Sequence, residues 1–427
     1  MKLFKNITNL VSIDDNKNLF KSGKDMNNIN SLKDMNMIFD DEIRFIGTNS
    51  ETEDFINNFN IKITETQDMT GKTIMPGFVD SHTHIVFAGD RSNEFGKRLK
   101  GATYKEIAEA GGGIQTTVNA TRNASIEELA IIGLKLLNNA IKYGTTTIEI
   151  KSGYSLSFEG EMKQLEAIKQ IKNTLKSNNI DMNIVSTFMA AHDFPKELKG
   201  SKEGREYYIK SICEDMLPVV VENKLADYCD IFIDEGYFTN EEAEIIFDKS
   251  LSLGLPIKAH CDELANVEAA GFCADRGAVS VDHLLFVSDD SISKIVKNNT
   301  VANLLPGTAY FIRLPYAPAR KLIDNNAIVS LATDCNPGSC FTENMQLIMN
   351  FAALNMNMSA EEILTASTLN SAYSLRLSDT IGSLEIGKKA DFIVLDIPNY
   401  FDLFYHFGIN HVEKTYISGK IVKDITY

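Results

Sequence analysis

Phe78-Val-Asp-Ser-His-Thr-His84 is the stretch on which the fold turns. Behind Pro76-Gly77 it opens on two apolar residues and ends on two imidazoles with one residue between them. In a strand, side chains two apart share a face. Phe78, Asp80, His82 and His84 are therefore expected to point inward together, the apolar member deepest and the histidines at the mouth. Two inward imidazoles make half a metal site, and the remaining ligands are sought at the ends of other strands.

Downstream, the rhythm of strand, helix, strand repeats. TTTIEI (145 to 150), NIVSTFMAAH (183 to 192), YCDIFIDEGYF (228 to 238), LPIKAH (255 to 260), AVSVDH (278 to 283), TVANLLPG (300 to 307) and AIVSLATD (327 to 334) complete eight candidate strands. Most of the segments between them carry a helical period and caps. Ser125-Ile-Glu-Glu128 is a capping box that opens a helix closed by Gly144, and Ser359 to Glu362 repeats the box. This alternation predicts an α/β protein built on a (β/α)8 TIM-like barrel, with an open doubly wound sheet as the competing arrangement.

A barrel of this kind carries its active site at the C-terminal strand ends. Strand one ends in His82 and His84, strand three in His192, strand five in His260, strand six in His283 and strand eight in Asp334; five of the seven histidines of the chain stand there. His82, His84, His260 and Asp334 give three nitrogens and one carboxylate with room for water. That set suits one Zn2+ or Fe3+/Fe2+ per chain better than calcium or magnesium, which prefer oxygen. An ion so held acidifies water and polarises a carbonyl, so hydrolysis is its natural use. Glu263, three residues beyond His260, and His283 are the candidates for general base and acid. NPGSC (336 to 340) forms a tight loop after Asp334, where Gly338 lets backbone amides approach a ligand. Arg91 and Arg98 follow the first ligand pair, where an arginine can clamp a substrate carboxylate. AGGGIQTT (110 to 117) matches neither phosphate-loop pattern.

Both ends of the chain alternate short apolar runs with turns. Residues 1–75 and 380–427 are expected to build one small β-sandwich domain around a barrel of residues 76–379. A hydrophobic content of 44% with 23% charged residues fits a folded protein. The formal charge of −16 has the wrong sign for tracking a phosphate backbone or an anionic membrane, and no apolar run reaches the roughly 18 residues of a membrane span. No nucleic-acid or membrane partner is expected, and a cytoplasmic location follows by default. Six cysteines at irregular spacing, without a C-x-x-C pair, read as reduced buried thiols.

At PGFVDSHTH the chain resembles the amidohydrolase superfamily, metal hydrolases on a (β/α)8 barrel with a small β-sandwich assembled from both chain ends. Further blocks narrow the resemblance: PGFVDSHTHIVFAGDR, AGGGI, KSGY, KAHCDE, GAVSVDHL, LLPGTAYF, YAPARKLID, LATDCNPGSC, GSLEIGKKAD and YHFG. They point to the branch that hydrolyses the cyclic amide of 4-imidazolone-5-propanoate to N-formimidoyl-L-glutamate in histidine degradation. The resemblance implies metal ligands at His82, His84, His260 and Asp334, and substrate contacts at Arg91, Tyr154, His192, Glu263, Asn336, Gly338 and Ser339. Arg91 then meets the propionate of a small anionic substrate, and a homodimer is implied. Ser155 after KSGY and AAHD around His192 depart from the usual KSGYG and GAHA. The alternative is a mononuclear aminohydrolase of a purine or pyrimidine base, which the same ligand set would serve. A binuclear cyclic amidase would want a lysine on strand four, and IFIDEGYF has none. A catalytically dead scaffold would have lost ligands, and all four are present.

Overall fold

The computed structural model describes residues 1–101, 113–422 and 425; Ala110 to Gly112 of the AGGGIQTT stretch lie outside them. Strands β1 (Lys2–Val11), β2 (Ser31–Phe39), β3 (Ile43–Gly47), β4 (Glu65–Asp68) and β5 (Thr73–Pro76) open the chain. The barrel strands follow: β6 (Phe78–Asp80), β7 (Thr145–Lys151), β8 (Asn183–Ala191), β9 (Tyr228–Ile233), β10 (Ile257–Cys261), β11 (Ser280–His283), β12 (Val301–Leu304) and β13 (Ile328–Leu331). They lie side by side in sequence order and all pair in parallel. The chain then returns to the first sheet with β14 (Phe392–Leu395), β15 (Val412–Ile417) and β16 (Lys420–Ile421), so that its order is β16-β15-β14-β5-β1-β2-β3 with β4 on β1. The two ends of the chain thus share one sheet, and β14 against β5 is the seam between them. Phe4, Phe39, Phe392 and Tyr416 fill its centre, with Phe4 edge-on to Phe39 at 4.9 Å and Phe392 stacked on Tyr416 at 4.5 Å.

One residue, Gly77, separates the two sheets. A Cβ there would stand 2.2 Å from Thr146 Cγ2 on β7, so only glycine lets the chain cross so close to the barrel wall. Both capping boxes form: Ser125 Oγ accepts from the Glu128 amide at the head of the helix Ile126–Lys142, and Ser359 does the same for Ala360–Ala366. Gly144, at φ +99°, follows the first of these helices.

The strands at both edges of the barrel are shorter than the sequence pattern suggests. β6 stops at Asp80 and β13 at Leu331, so His82, His84 and Asp334 lie beyond regular strand. The ring closes here through individual bonds: the Asp334 amide donates to His82 O at 3.0 Å, the His84 amide to Cys335 O at 2.9 Å, and the Thr333 amide to the Asp80 carboxylate at 3.0 Å. The interior is unusual as well. Bulky aliphatic residues normally fill such a barrel, whereas Asp80, Glu149, Lys151, Asp230, Lys258, His260 and Asp282 are all buried here. The aliphatic core lies outside the ring, where Ile148, Ile150, Ile231, Ile257, Ala259 and Val281 form one cluster with Leu137, Ile168 and Ile246. The six cysteines are buried free thiols, and among the described residues no helix is long and apolar enough to cross a membrane.

Candidate active site

Four donor atoms converge at the C-terminal mouth of the barrel. His82 Nε2 stands 3.2 Å from His84 Nε2, which stands 3.4 Å from His260 Nε2, while Asp334 Oδ1 lies 3.5 Å from His82 Nε2 and 3.7 Å from His84 Nε2. Ligands bound at about 2.0–2.1 Å around a tetrahedral ion stand about 3.4 Å apart, and these four distances lie near that value. Burial holds the imidazoles of His82 and His84 well below their ordinary pKa. Neutral rings offer the lone pairs that a cation needs. The structure therefore presents a group that could hold a metal, in two overlapping sets: His82, His84 and Asp334, and His82, His260 and His283.

Each ring is aimed from behind. His82 Nδ1 donates to Asp282 Oδ2 at 2.5 Å and His260 Nδ1 to Asp230 Oδ1 at 2.9 Å, which turns both Nε2 atoms towards the convergence point. Asp334 sits at φ +52°, and its second oxygen accepts a short hydrogen bond from the Thr308 hydroxyl. Burial lifts its pKa to about 6, against the lowering effect of that hydroxyl. Alternation along β11 would send Asp282 and His283 to opposite faces. His283, at φ +78°, and Leu284, at φ +64°, turn the backbone left-handed there, and both side chains reach the interior.

Glu263 lies beside this group, its Oε2 3.7 Å from His283 Nε2. Burial, with Asp334 and Asp234 nearby, keeps its carboxyl well above the ordinary range, and burial keeps His283 neutral. Asp234, at the end of β9, holds the loop by accepting the amides of Glu263, Leu264 and Ala265. His192 stacks on His84 with centroids 5.1 Å apart, its Nδ1 lies 3.1 Å from Gly153 O, and burial lowers its pKa to about 3. The Tyr154 ring stands edge-on to both His84 and His192.

Arg91 reaches the NPGSC loop. Its Nε donates to Glu94 at 2.9 Å, and its Nη1 lies 2.1 Å from where a Cβ of Gly338 would be. The Gly338 and Ser339 amides both donate to Asn336 Oδ1 at 2.8 Å, and Asn336 Nδ2 donates to Asp334 O at 2.7 Å. These groups therefore shape the loop and tie it to Asp334, with the amides turned onto Asn336. A cleft of about 490 Å³ opens beside them, lined by Phe87, Arg91, Phe95, Arg98, Gly338 and Phe341. A larger cavity of about 850 Å³ lies at the opposite end of the strands, around Ile184, Tyr228 and Pro256, and contains none of these groups.

All the residues picked from the sequence thus gather at one end of the barrel. Asp230, Asp282, Thr308 and Asp234 were missed. Three of them carried a signal: in Cys-Asp-Ile-Phe, Val-Asp-His and Ile-Asp-Glu a carboxylate interrupts an apolar strand, which is costly unless it has a partner.

Residues 73–422 match the model of the amidohydrolase family. The chain is 45% identical over 385 residues to an imidazolonepropionase of Geobacillus sp. (strain WCH70), covering 90% of this chain and 88% of that one. It is 42% identical over 420 residues to an imidazolonepropionase of Alkaliphilus oremlandii (strain OhILAs), covering 98% and 97%. Among solved structures, the E. coli guanine deaminase matches with a TM-score of 0.70 at 17% identity over all of both chains. A zinc-bound adenosine deaminase from Xanthomonas campestris gives 0.67 at 17% identity over 98% and 92% of the chains. At that identity the likeness speaks for the fold.

Proposed function

The chain belongs to the amidohydrolase family and to its imidazolonepropionase branch, hydrolases of histidine degradation, and from that premise we propose that its barrel mouth opens the cyclic amide of 4-imidazolone-5-propanoate to give N-formimidoyl-L-glutamate. The observation that carries the reading is the gathering of His82, His84, His260 and Asp334, with 3.2 to 3.7 Å between four pairs of their donor atoms, and Glu263 and His283 beside them.

In this reading those four residues hold one zinc or iron ion per chain. When bound, the ion supplies Lewis-acid chemistry, acidifying water and polarising a carbonyl oxygen. The rest falls to the side chains. Arg91 binds the propionate, and in a chain of net charge −16 its guanidinium is a local positive charge at the mouth. Tyr154 and His192 wall the space over His84 and hold the imidazolone ring against it. Water adds to the ring carbonyl carbon, the ring C–N bond breaks, and the departing nitrogen takes a proton. Glu263 receives the proton that water loses and, with His283 3.7 Å away, delivers it to that nitrogen. Asn336, Gly338 and Ser339 set the loop that faces the substrate. Residues 1–75 with 380–427 as one domain around 76–379, a homodimer, and a cytoplasmic site of action belong to the same proposal.

Lys151 and Lys258 pass beneath the site, but both ammonium groups are bonded to carboxylates, which disfavours their becoming a bridge between two ions. The test is to incubate purified, metal-loaded protein with the imidazolone, follow the loss of its ultraviolet absorbance and identify the product by mass. No turnover refutes the proposal; release of ammonia from a purine or pyrimidine base would favour the aminohydrolase alternative.

A further inference from the structure

Five charged side chains lie under the ligand group, and the reaction above uses none of them directly. Glu149, Lys151, Asp230, Lys258 and Asp282 are all 0% exposed, in a barrel position usually filled by Val, Ile or Leu. Replacing buried ion pairs with well-packed apolar residues is often neutral or stabilising, so stability alone does not account for five of them. We propose that Lys151 is a positioning residue of the metal centre: held between Glu149 and Asp230, its ammonium fixes the carboxylate that orients His260 and so sets the affinity of the site for its ion. The inference rests on the reading that His82, His84, His260 and Asp334 hold a metal.

The contacts form a continuous chain. Lys151 Nζ stands 2.7 Å from Asp230 Oδ2 and 2.8 Å from Glu149 Oε2, and Lys258 Nζ stands 3.0 Å from Glu149 Oε1. Asp230 therefore divides its two oxygens, one to Lys151 and one to His260 Nδ1. With both oxygens engaged, the carboxylate cannot rotate without breaking a charged hydrogen bond in a site closed to water. The imidazole it holds keeps its Nε2 aimed at the mouth. Without the ammonium, Asp230 Oδ2 would be left buried and unpartnered, and the carboxylate would be free to turn away from His260.

Lys151 is also registered to the other ligands. Its backbone amide donates to Thr83 O at 2.9 Å, and Thr83 Oγ1 donates to Glu149 O at 2.6 Å, so the strand end that carries the ammonium grips the segment between His82 and His84. Loss of the Lys151 ammonium leaves the buried Glu149 and Asp230 carboxylates without that partner and breaks the link that orients His260.

The experiment measures zinc affinity by competition with a chromophoric chelator on stripped wild-type, Lys151→Met, Asp230→Asn and double-variant protein, with the melting temperature of each metal-free form. Outer contacts of this type change metal affinity about 10–100-fold. Lys151→Met is expected to lose that much, Asp230→Asn as much or more, and the double variant no more than about threefold beyond Asp230→Asn, because the lysine acts through the aspartate. The visible spectrum of the cobalt-loaded single variants is expected to shift from that of wild type. A folded Lys151→Met protein with zinc affinity within threefold of wild type, or additive losses in the double variant, overturns the proposal. A lowered melting temperature at unchanged affinity shows a merely structural role and does the same. Should Lys151→Met not fold, Asp230→Asn decides: unchanged affinity there is fatal. Wild-type protein that binds no zinc, cobalt or iron instead removes the metal-site reading itself.

Discussion

Adding one methyl group at Gly338 is expected to weaken substrate binding with little effect on the fold. A Cβ there would lie 2.1 Å from Arg91 Nη1 and 3.0 Å from its Cζ, while the next nearest atom, Asn336 Oδ1, is 3.5 Å away. The clash falls on the end of one flexible side chain, so the loop stays and the guanidinium moves by an ångström or more. A misplacement of about 1 Å in a binding group costs up to about a hundredfold. Gly338→Ala should therefore raise KM for 4-imidazolone-5-propanoate about 10–100-fold, equivalent to about 1.4–2.8 kcal/mol, with kcat within a fewfold of wild type. Arg91→Ala should raise KM at least as much, and the double variant should lose no more than Arg91→Ala alone, because the methyl acts only through the arginine. Steady-state kinetics on the three variants, with melting temperatures, make the comparison. An unchanged KM in Gly338→Ala, or a loss in kcat instead, would refute Arg91 as the carboxylate clamp and the loop as its seat.

Three further outcomes follow from the same structure. Glu263→Gln should keep one bound ion per chain by metal analysis while lowering kcat about 10²–10⁴-fold; near-normal kcat would remove Glu263 as the proton carrier. Asp391 is 5% exposed, its Oδ1 accepts the Ser418 amide, and burial lifts its pKa to about 6 from 3.8. The folded state therefore binds the extra proton between pH 4 and 6, and stability falls as pH rises through that window, by about 3 kcal/mol in all. Asp391→Asn should flatten this slope and raise the denaturation midpoint at pH 7, and a midpoint that drops would contradict the sign. Gly77→Ala forces a methyl onto the stiff, buried Thr146 and should destabilise the protein by about 1–3 kcal/mol, with Thr146→Ala restoring part of the loss; urea unfolding of both variants checks it.

Much of this molecule is legible in its sequence because strand ends and helix starts are marked by residues whose chemistry is local. Ser125-x-x-Glu128 caps its helix as written, and all eight barrel strands begin within the apolar runs quoted for them, with β6 and β13 ending earlier than those runs. His82, His84, His260 and Asp334 are readable because a barrel gathers its strand ends. What was not legible depends on tertiary closure. His82, His84 and Asp334 lie past the regular strands because the ring is completed by their own backbone bonds, which no periodicity foretells. His283 reaches the interior only through left-handed backbone at a residue that is not glycine. Thr308 bonds Asp334 from a short helix after β12, a partnership that only the fold creates. The charged floor was visible as Glu149, Lys151, Asp230 and Lys258 within apolar strands, but their pairing awaited the register of β7, β9 and β10.

Imidazolone hydrolysis measured against added metal in one sample of stripped protein is the most direct test. The account predicts no turnover without metal, a rise in proportion to added zinc or iron, and saturation at one ion per chain with N-formimidoyl-L-glutamate as the product. Full turnover in the metal-free protein, or saturation only at two ions per chain, would contradict it.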